Sequence, residues 1–207
     1  VSMARKPAPS RKTATPSKAD FFPAWQAAAS FAARKHHGQL RKDGRTPYFA
    51  HVVRVAFTTS ALFGCTDPAA IAAALTHDLI EDTTTDYEDL EERFGTEVAD
   101  MVVALTKNMA LPDAQRERDY EKRLAQADWR VRLVKLADAY DNVVDSDNDP
   151  KQNDNLPRRL GACVRAVRLA QPDAKHHPET RRAIELVTAL VKRYEKKAGP
   201  KWDPSRA

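Results

Sequence analysis

Two adjacent residues, His77 and Asp78, followed by carboxylates at Glu81 and Asp82, form the stretch of this sequence richest in chemistry. An imidazole and a carboxylate side by side are ready ligands for a divalent cation. Three acids this close repel one another, and a bound cation would relieve the repulsion and hold them ionised. On a continuous helix, Glu81 and Asp82 lie three and four residues after Asp78, so the three acids and His77 are expected to crowd one side of one turn. The plainer alternative is that His77 and Asp78 finish a core helix as a polar capping pair.

Other candidates stand further off in sequence. His51 lies near the start of a helix opened by Pro47, where a solitary histidine ordinarily has a structural role. Asp138 directly follows the core-like run Val134-Lys135-Leu136-Ala137, a costly place for a charge unless it is paired or metal-bound. Asn142, four residues later, shares its face. Residues 34–44 are cationic, contain Gly38 and Gly44, and read as a loop in which Arg41 and Lys42 suit an anionic ligand. A solvated surface has the same composition. Arg116 and Arg118 belong to a polar connection over 106–119 and are within the range of residues that could reach phosphate.

The elements that must position these groups are helical throughout. Asp67 and Pro68 suit an N-cap and first helical position. The apolar run from Ala69 to Leu75 then predicts a helix buried on every side, a rigid mount for His77 and Asp78. Helical spacing of Phe21, Phe22, Trp25, Ala28, Ala29 and Ala32 predicts a first core helix. Two amphipathic helices are expected on either side of Gly95, a buried one over 129–144, and two more near 156–170 and 179–194. His176 and His177, next to Pro178, are expected to face solvent. No sheet pattern, repeat or Gly-rich nucleotide loop is present.

The chain has 207 residues, enough for one domain with a sizeable core. Its net charge of +5 comes from Arg5, Lys6, Arg11, Lys12 and Lys18, which precede the first acid, Asp20. The remainder is balanced, so no nucleic-acid groove is expected in the fold. Residues 1–19 are polar, basic and rich in proline, and a disordered arm is expected there. A domain over 20–196 and a frayed tail over 197–207 follow. Cys65 and Cys163 match neither a disulfide framework nor a zinc motif, and no apolar stretch reaches the ~20 residues of a membrane span. A cytoplasmic protein without membrane association is expected.

His51, then His77-Asp78, then Asp138 resembles the ordered ligand set of the HD-domain metal-dependent phosphohydrolases. Residues 33–44 with Pro47, Tyr48 and His51, residues 77–83, and Val134-Lys135-Leu136-Ala137-Asp138 with Asn142 resemble the (p)ppGpp hydrolase branch in particular. That branch includes the hydrolase domain of Rel/SpoT-type enzymes and free-standing small alarmone hydrolases. Because no synthetase or regulatory region follows, the free-standing type is the closer match. The resemblance implies an all-α, compact multi-helix bundle with one metal site held by His51, His77, Asp78 and Asp138, usually occupied by manganese. It implies Glu81 for water activation and Asp82 for orienting it, Arg41, Lys42 and Asn142 as substrate contacts, and Lys135 as support for the pocket. A phosphate-facing lysine common in the small hydrolases is replaced by Met109, with Arg116 and Arg118 as substitutes, and a tyrosine that often follows an arginine is missing after Arg158 and Arg159.

The expected reaction is removal of the 3′-pyrophosphate from a (p)ppGpp-like alarmone, leaving GDP or GTP. The alternatives are an adenosine alarmone, another HD-type nucleotide phosphohydrolase, or a catalytically silent nucleotide-binding module. The expected partner is a small nucleotide rather than a nucleic acid or a membrane, and the oligomeric state is not set by the sequence.

Overall fold

The computed structural model describes residues 24–148 and 155–203, and every element of regular structure among them is a helix. The arm expected over 1–19, and Phe21 and Phe22 of the expected first helix, lie outside the described residues. Helix α1 (Ala24–Lys35) buries Ala28, Phe31 and Ala32 along one stripe. A loop leads to α2 (Phe49–Phe57), which buries His51, Val52, Val55 and Ala56 and runs into a π-helical turn, Thr58–Leu62. There the hydroxyls of Thr59 and Ser60 donate back to the carbonyls of Val55 and Ala56.

Helix α3 (Pro68–Thr76) begins as its sequence predicts, with Pro68 in the first turn and the Asp67 side chain accepting the Ala70 amide at 2.9 Å. Ala72, Ala73 and Ala74 are fully buried, and their small side chains let α1 and α2 pack closely on this helix. The expected continuation through Asp82 does not occur. The helix stops at Thr76, Asp78 adopts φ −97°, ψ 0°, and a separate short helix, α4 (Leu79–Asp82), starts from it. The break falls before Asp78, whose carbonyl still accepts the Asp82 amide at 2.9 Å, so the three acids remain on one turn while His77 ends the preceding helix.

Helices α5 (Tyr87–Phe94) and α6 (Thr96–Leu105) flank Gly95, whose φ of 85° places it in the region glycine adopts without steric cost. The expected polar connection over 106–119 is shorter than its composition suggests, because α7 (Asp113–Gln126) begins at Asp113. Helix α8 (Trp129–Val144) is the centre of the bundle. It packs against α2, α3 and α6, and it buries two acids, Asp138 and Asp141, among Val131, Leu133, Val134 and Leu136. Helices α9 (Leu156–Ala170) and α10 (Pro178–Ala198) close the other side, with α10 and a 3-10 turn continuing to Lys201, past the point where fraying was expected. His177 does not simply face solvent, because its ring stacks on Trp129 at 4.0 Å. One hydrophobic cluster runs from Ala28 to Tyr194.

The loop between α1 and α2 is tied at its base by an antiparallel bridge between Leu40 and Pro47. Inside it, Asp43 accepts the amides of Arg45 and Thr46, each at 2.9 Å, and the Thr46 hydroxyl. The Thr46 hydroxyl and these amides pull the Asp43 carboxyl down to about 2. Gly44 sits at φ 69°. The loop is therefore a shaped turn that presents Arg41 and Lys42, and its shape depends on Asp43. Asp43→Ala is expected to raise the KM for an anionic substrate about twofold to tenfold through the lost hydrogen bonds, leaving metal affinity unchanged. Steady-state kinetics beside a metal titration checks this.

Candidate active site

Helices α2, α3 and α8 bring His51, His77, Asp78 and Asp138 together. Ligand atoms of His51, His77 and Asp138 all lie within 4.8 Å of one another. Asp78 joins from the side, with Oδ2 3.2 Å from His77 Nε2 and 3.5 Å from His51 Nε2. Asp138 Oδ1 is 3.4 Å from His51 Nε2 and 3.9 Å from His77 Nε2. Both histidines are almost completely buried.

The donor set fits a metal ion. His77 Nδ1 is 2.8 Å from the carbonyl of Ala74, so the proton resides there and Nε2 keeps its lone pair. That Nε2 is buried and has no hydrogen-bond partner. An orphaned buried nitrogen facing two carboxylates is costly without a cation and well matched with one. His51 has the same orientation: Nδ1 meets Asp141 Oδ2 at 2.7 Å and Nε2 turns to the cluster. Burial opposes the charged form of His51, but Asp138, Asp141 and Asp78 outweigh it and raise its pKa, the pull of the same carboxylates that would draw a cation to Nε2 in place of a proton. Burial likewise opposes ionisation of Asp138, yet Lys135 and the two histidines hold it well below the usual carboxylate range.

Supporting side chains fix the carboxylates. Tyr48 donates its hydroxyl to Asp78 Oδ2 at 2.6 Å, Lys135 Nζ donates to Asp138 Oδ2 at 2.7 Å, and Asn142 Nδ2 to Asp138 Oδ1 at 2.5 Å. His36 stacks on Tyr48 at 4.7 Å and meets Gln39, whose amide donates to the carbonyl of Asp82. The cationic loop and α4 are thereby held to each other.

Above the cluster lies an inner cavity of about 180 Å³, bounded by Tyr48, Glu81, Lys107 and Tyr120 as well as the four clustered residues. It shares Arg41, Glu81, Lys135, Asp138 and Asn142 with an outer cleft of about 340 Å³, whose far wall is Lys42, Arg158, Arg159 and Ala162. Glu81 is thus common to both spaces. Desolvation in the cleft raises its pKa, the Lys107 amide works in the opposite direction, and Asp78 and Asp82 raise it further. Asp82 does not line either space and lies beside Tyr48, where it helps keep that hydroxyl protonated.

Several sequence-based expectations need correction. Arg116 donates to the Leu111 carbonyl and pairs with Asp113, Arg118 is exposed, and neither lines the inner cavity or the outer cleft. The reason is the early start of α7, which turns Glu117, Tyr120 and Leu124 inward at helical spacing instead. Met109 does not stand in for a lysine: it is 57% exposed, while Lys107 lines the inner cavity. The Lys107 amide donates to Glu81 at 3.1 Å and its Nζ meets Glu117 at 2.6 Å. Sequence reasoning also missed Tyr48 as a partner of Asp78, and Asp141, Arg54 and Asp145 behind His51 and Arg41.

An all-helical bundle carrying a buried His, His-Asp and Asp cluster beneath a cationic cleft defines a class, and residues 28–161 match the HD domain family. The chain belongs to that family. It is 42% identical over 119 residues to guanosine-3′,5′-bis(diphosphate) 3′-pyrophosphohydrolase MESH1 of Xenopus tropicalis, covering 57% of this chain and 66% of the relative. It is 41% identical over 121 residues to guanosine-3′,5′-bis(diphosphate) 3′-pyrophosphohydrolase of Aquifex aeolicus, covering 57% of this chain and 17% of that longer protein. The chain thus spans just under two thirds of the first of these relatives and a small part of the second. The solved structure of a metazoan ortholog of SpoT that hydrolyzes ppGpp superposes with a TM-score of 0.71 at 28% identity, covering 88% of this chain and 98% of that one.

Proposed function

We propose that this chain is a metal-dependent 3′-pyrophosphohydrolase of (p)ppGpp-like alarmones, with manganese as its ion. The observation that carries the reading is the buried cluster with the unpartnered His77 Nε2, set under a cleft that Glu81 shares with Arg41, Lys42, Arg158 and Arg159. Named activities of the relatives support the same substrate class. Two imidazoles and two carboxylates without a thiolate suit an octahedral, borderline-to-hard ion better than structural zinc.

His51, His77, Asp78 and Asp138 would hold the ion, which when bound polarises a phosphoryl oxygen and acidifies water. Glu81 accepts the proton of the attacking water, its basicity increased by desolvation. Water oxygen bonds to the phosphorus attached to the ribose 3′ oxygen, that P–O bond breaks, and a proton passes to the departing 3′ oxygen. Pyrophosphate and a 5′-di- or triphosphate nucleoside result. Lys107 and Lys135 border the inner cavity and neutralise charge on the 3′ group. Arg41 and Asn142 stand between the two spaces, while Lys42, Arg158 and Arg159 take the remaining phosphates in the outer cleft. Arg158, Arg159 and Arg41 add to desolvation in lowering the Lys42 pKa, the strain expected of cations gathered for an anion. Asp82, outside both spaces, acts on Glu81 through its charge, which adds to desolvation in raising the Glu81 pKa.

Among the described residues no helix is long and apolar enough to cross a membrane, and Cys65 and Cys163 are free and buried. The free thiols suit the reducing cytoplasmic setting proposed for a nucleotide enzyme.

A panel of purified nucleotides with manganese tests the reading. Pyrophosphate together with GDP or GTP from guanosine 3′-pyrophosphates is the expected result. Cleavage confined to adenosine 3′-pyrophosphates would keep the reaction and overturn the guanine assignment. Orthophosphate from ordinary nucleotides would replace it with a general phosphohydrolase, and no turnover with metal bound would make the chain a binding module.

A further inference from the structure

Behind the cluster, a chain of ionic contacts joins the metal side of the site to its anion side, and Arg54 of α2 is at its middle. Arg54 Nε donates to Asp141 Oδ1 at 2.6 Å, and Nη2 donates both to Asp141 Oδ2 at 2.9 Å and to Asp145 Oδ1 at 2.8 Å. Asp141 Oδ2 is the oxygen that meets His51 Nδ1. The other oxygen of Asp145 accepts Arg41 Nε at 3.0 Å, and Arg41 Nη2 donates to Asn142 at 2.8 Å.

Asp141 and Asp145 are four residues apart on one face, a spacing at which two carboxylates repel. Their side chains are only 5% and 11% exposed, so solvent does little to screen them. A guanidinium satisfies both in one plane, which an ammonium with its point charge does not. Asp141 cannot turn from His51 without giving up this fork, and Asp145 cannot release Arg54 without loosening what holds Arg41. Packing of α2 on α8 alone requires none of this, since Val52 and Val55 already supply an apolar contact face.

We infer that Arg54 is a positioning residue that fixes His51 and Arg41 through Asp141 and Asp145, so that metal affinity and anion affinity are set together. The inference rests on the function proposed above. It is tested by titrating manganese into the metal-stripped protein, reading free ion by electron paramagnetic resonance, and by measuring KM and kcat separately at saturating manganese. Arg54→Met is expected to weaken manganese binding by about tenfold or more and to raise KM, with the larger effect on KM than on kcat. Arg54→Lys is expected to recover only part of either loss, because it restores charge without the fork. Asp145→Asn is expected to raise KM while manganese affinity stays, and it decides the Arg41 arm if Arg54→Met does not fold. Wild-type manganese affinity or a wild-type KM in Arg54→Met, or an unchanged KM in Asp145→Asn, would overturn the inference. His77→Ala measured alongside separates the two levels: if it keeps its manganese, the metal assignment itself fails, whereas if it loses manganese and Arg54→Met does not, only the coupling fails.

Discussion

His77→Ala is expected to remove the metal and, with it, turnover. The His77 ring is held by its Nδ1 bond to the Ala74 carbonyl, so its Nε2 is delivered to the cluster without a rotameric search. Losing it leaves three protein ligands around a space into which water can enter. Loss of an outer-shell partner typically weakens a metal site by about tenfold to a hundredfold, and loss of a direct ligand is expected to exceed that. Thermal unfolding gives a reading independent of activity. Manganese at about a hundred times its dissociation constant is expected to stabilise the wild type by about 2.7 kcal/mol, which for a domain this size would raise Tm by roughly 5–10 °C. His77→Ala is expected to show almost none of that rise over the same titration. A variant that keeps both the ion and the manganese-dependent shift in Tm would sink the ligand assignment.

How much of this site can be read from the sequence depends on where the determining contacts lie. Helix α8 is legible because Asp128 caps it and its apolar positions continue for four turns, and α3 because Asp67 and Pro68 mark its start. The clustered residues stand out by chemical type: a histidine-aspartate pair after an apolar run, and an acid at the end of a buried one. The break at His77 and Asp78 leaves no such trace, since no glycine or proline marks it. It follows from tertiary demands on Asp78, which meets Tyr48 and two imidazoles at once. Arg54, Asp141 and Asp145 read as ordinary surface charges because their partners are 87–104 residues away. Lys107 is illegible for a different reason. Part of its contribution is a backbone amide aimed at Glu81, which no side-chain pattern encodes, and the polar composition of 106–119 hides the start of α7 that turns Arg116 and Arg118 away from the site.

Glu81→Gln is expected to keep the ion and lose most of the rate. The substitution preserves length and leaves an amide oxygen that can accept the Lys107 amide as Oε2 does now, so the approach of α4 to the loop after α6 is retained. Glu81 contributes no atom to the three-residue cluster, and manganese affinity should stay near the wild-type value. What disappears is a basic oxygen between the inner cavity and the outer cleft, where desolvation raises its affinity for a proton. Removing a general base typically costs about a hundredfold to ten-thousandfold, and the loss should fall on kcat, because the substituted side chain still occupies the same wall of the cleft. The pH profile adds a second signature. Wild-type kcat is expected to fall at low pH as Glu81 takes up a proton, and that limb should be absent from Glu81→Gln, which has no carboxylate to titrate there. Rate constants measured at saturating manganese and substrate across pH decide the matter. A Glu81→Gln enzyme with wild-type kcat and an unchanged acid limb would show that another group accepts the proton, and Asp82, outside the cavity wall but adjacent in sequence, would be the next residue to replace.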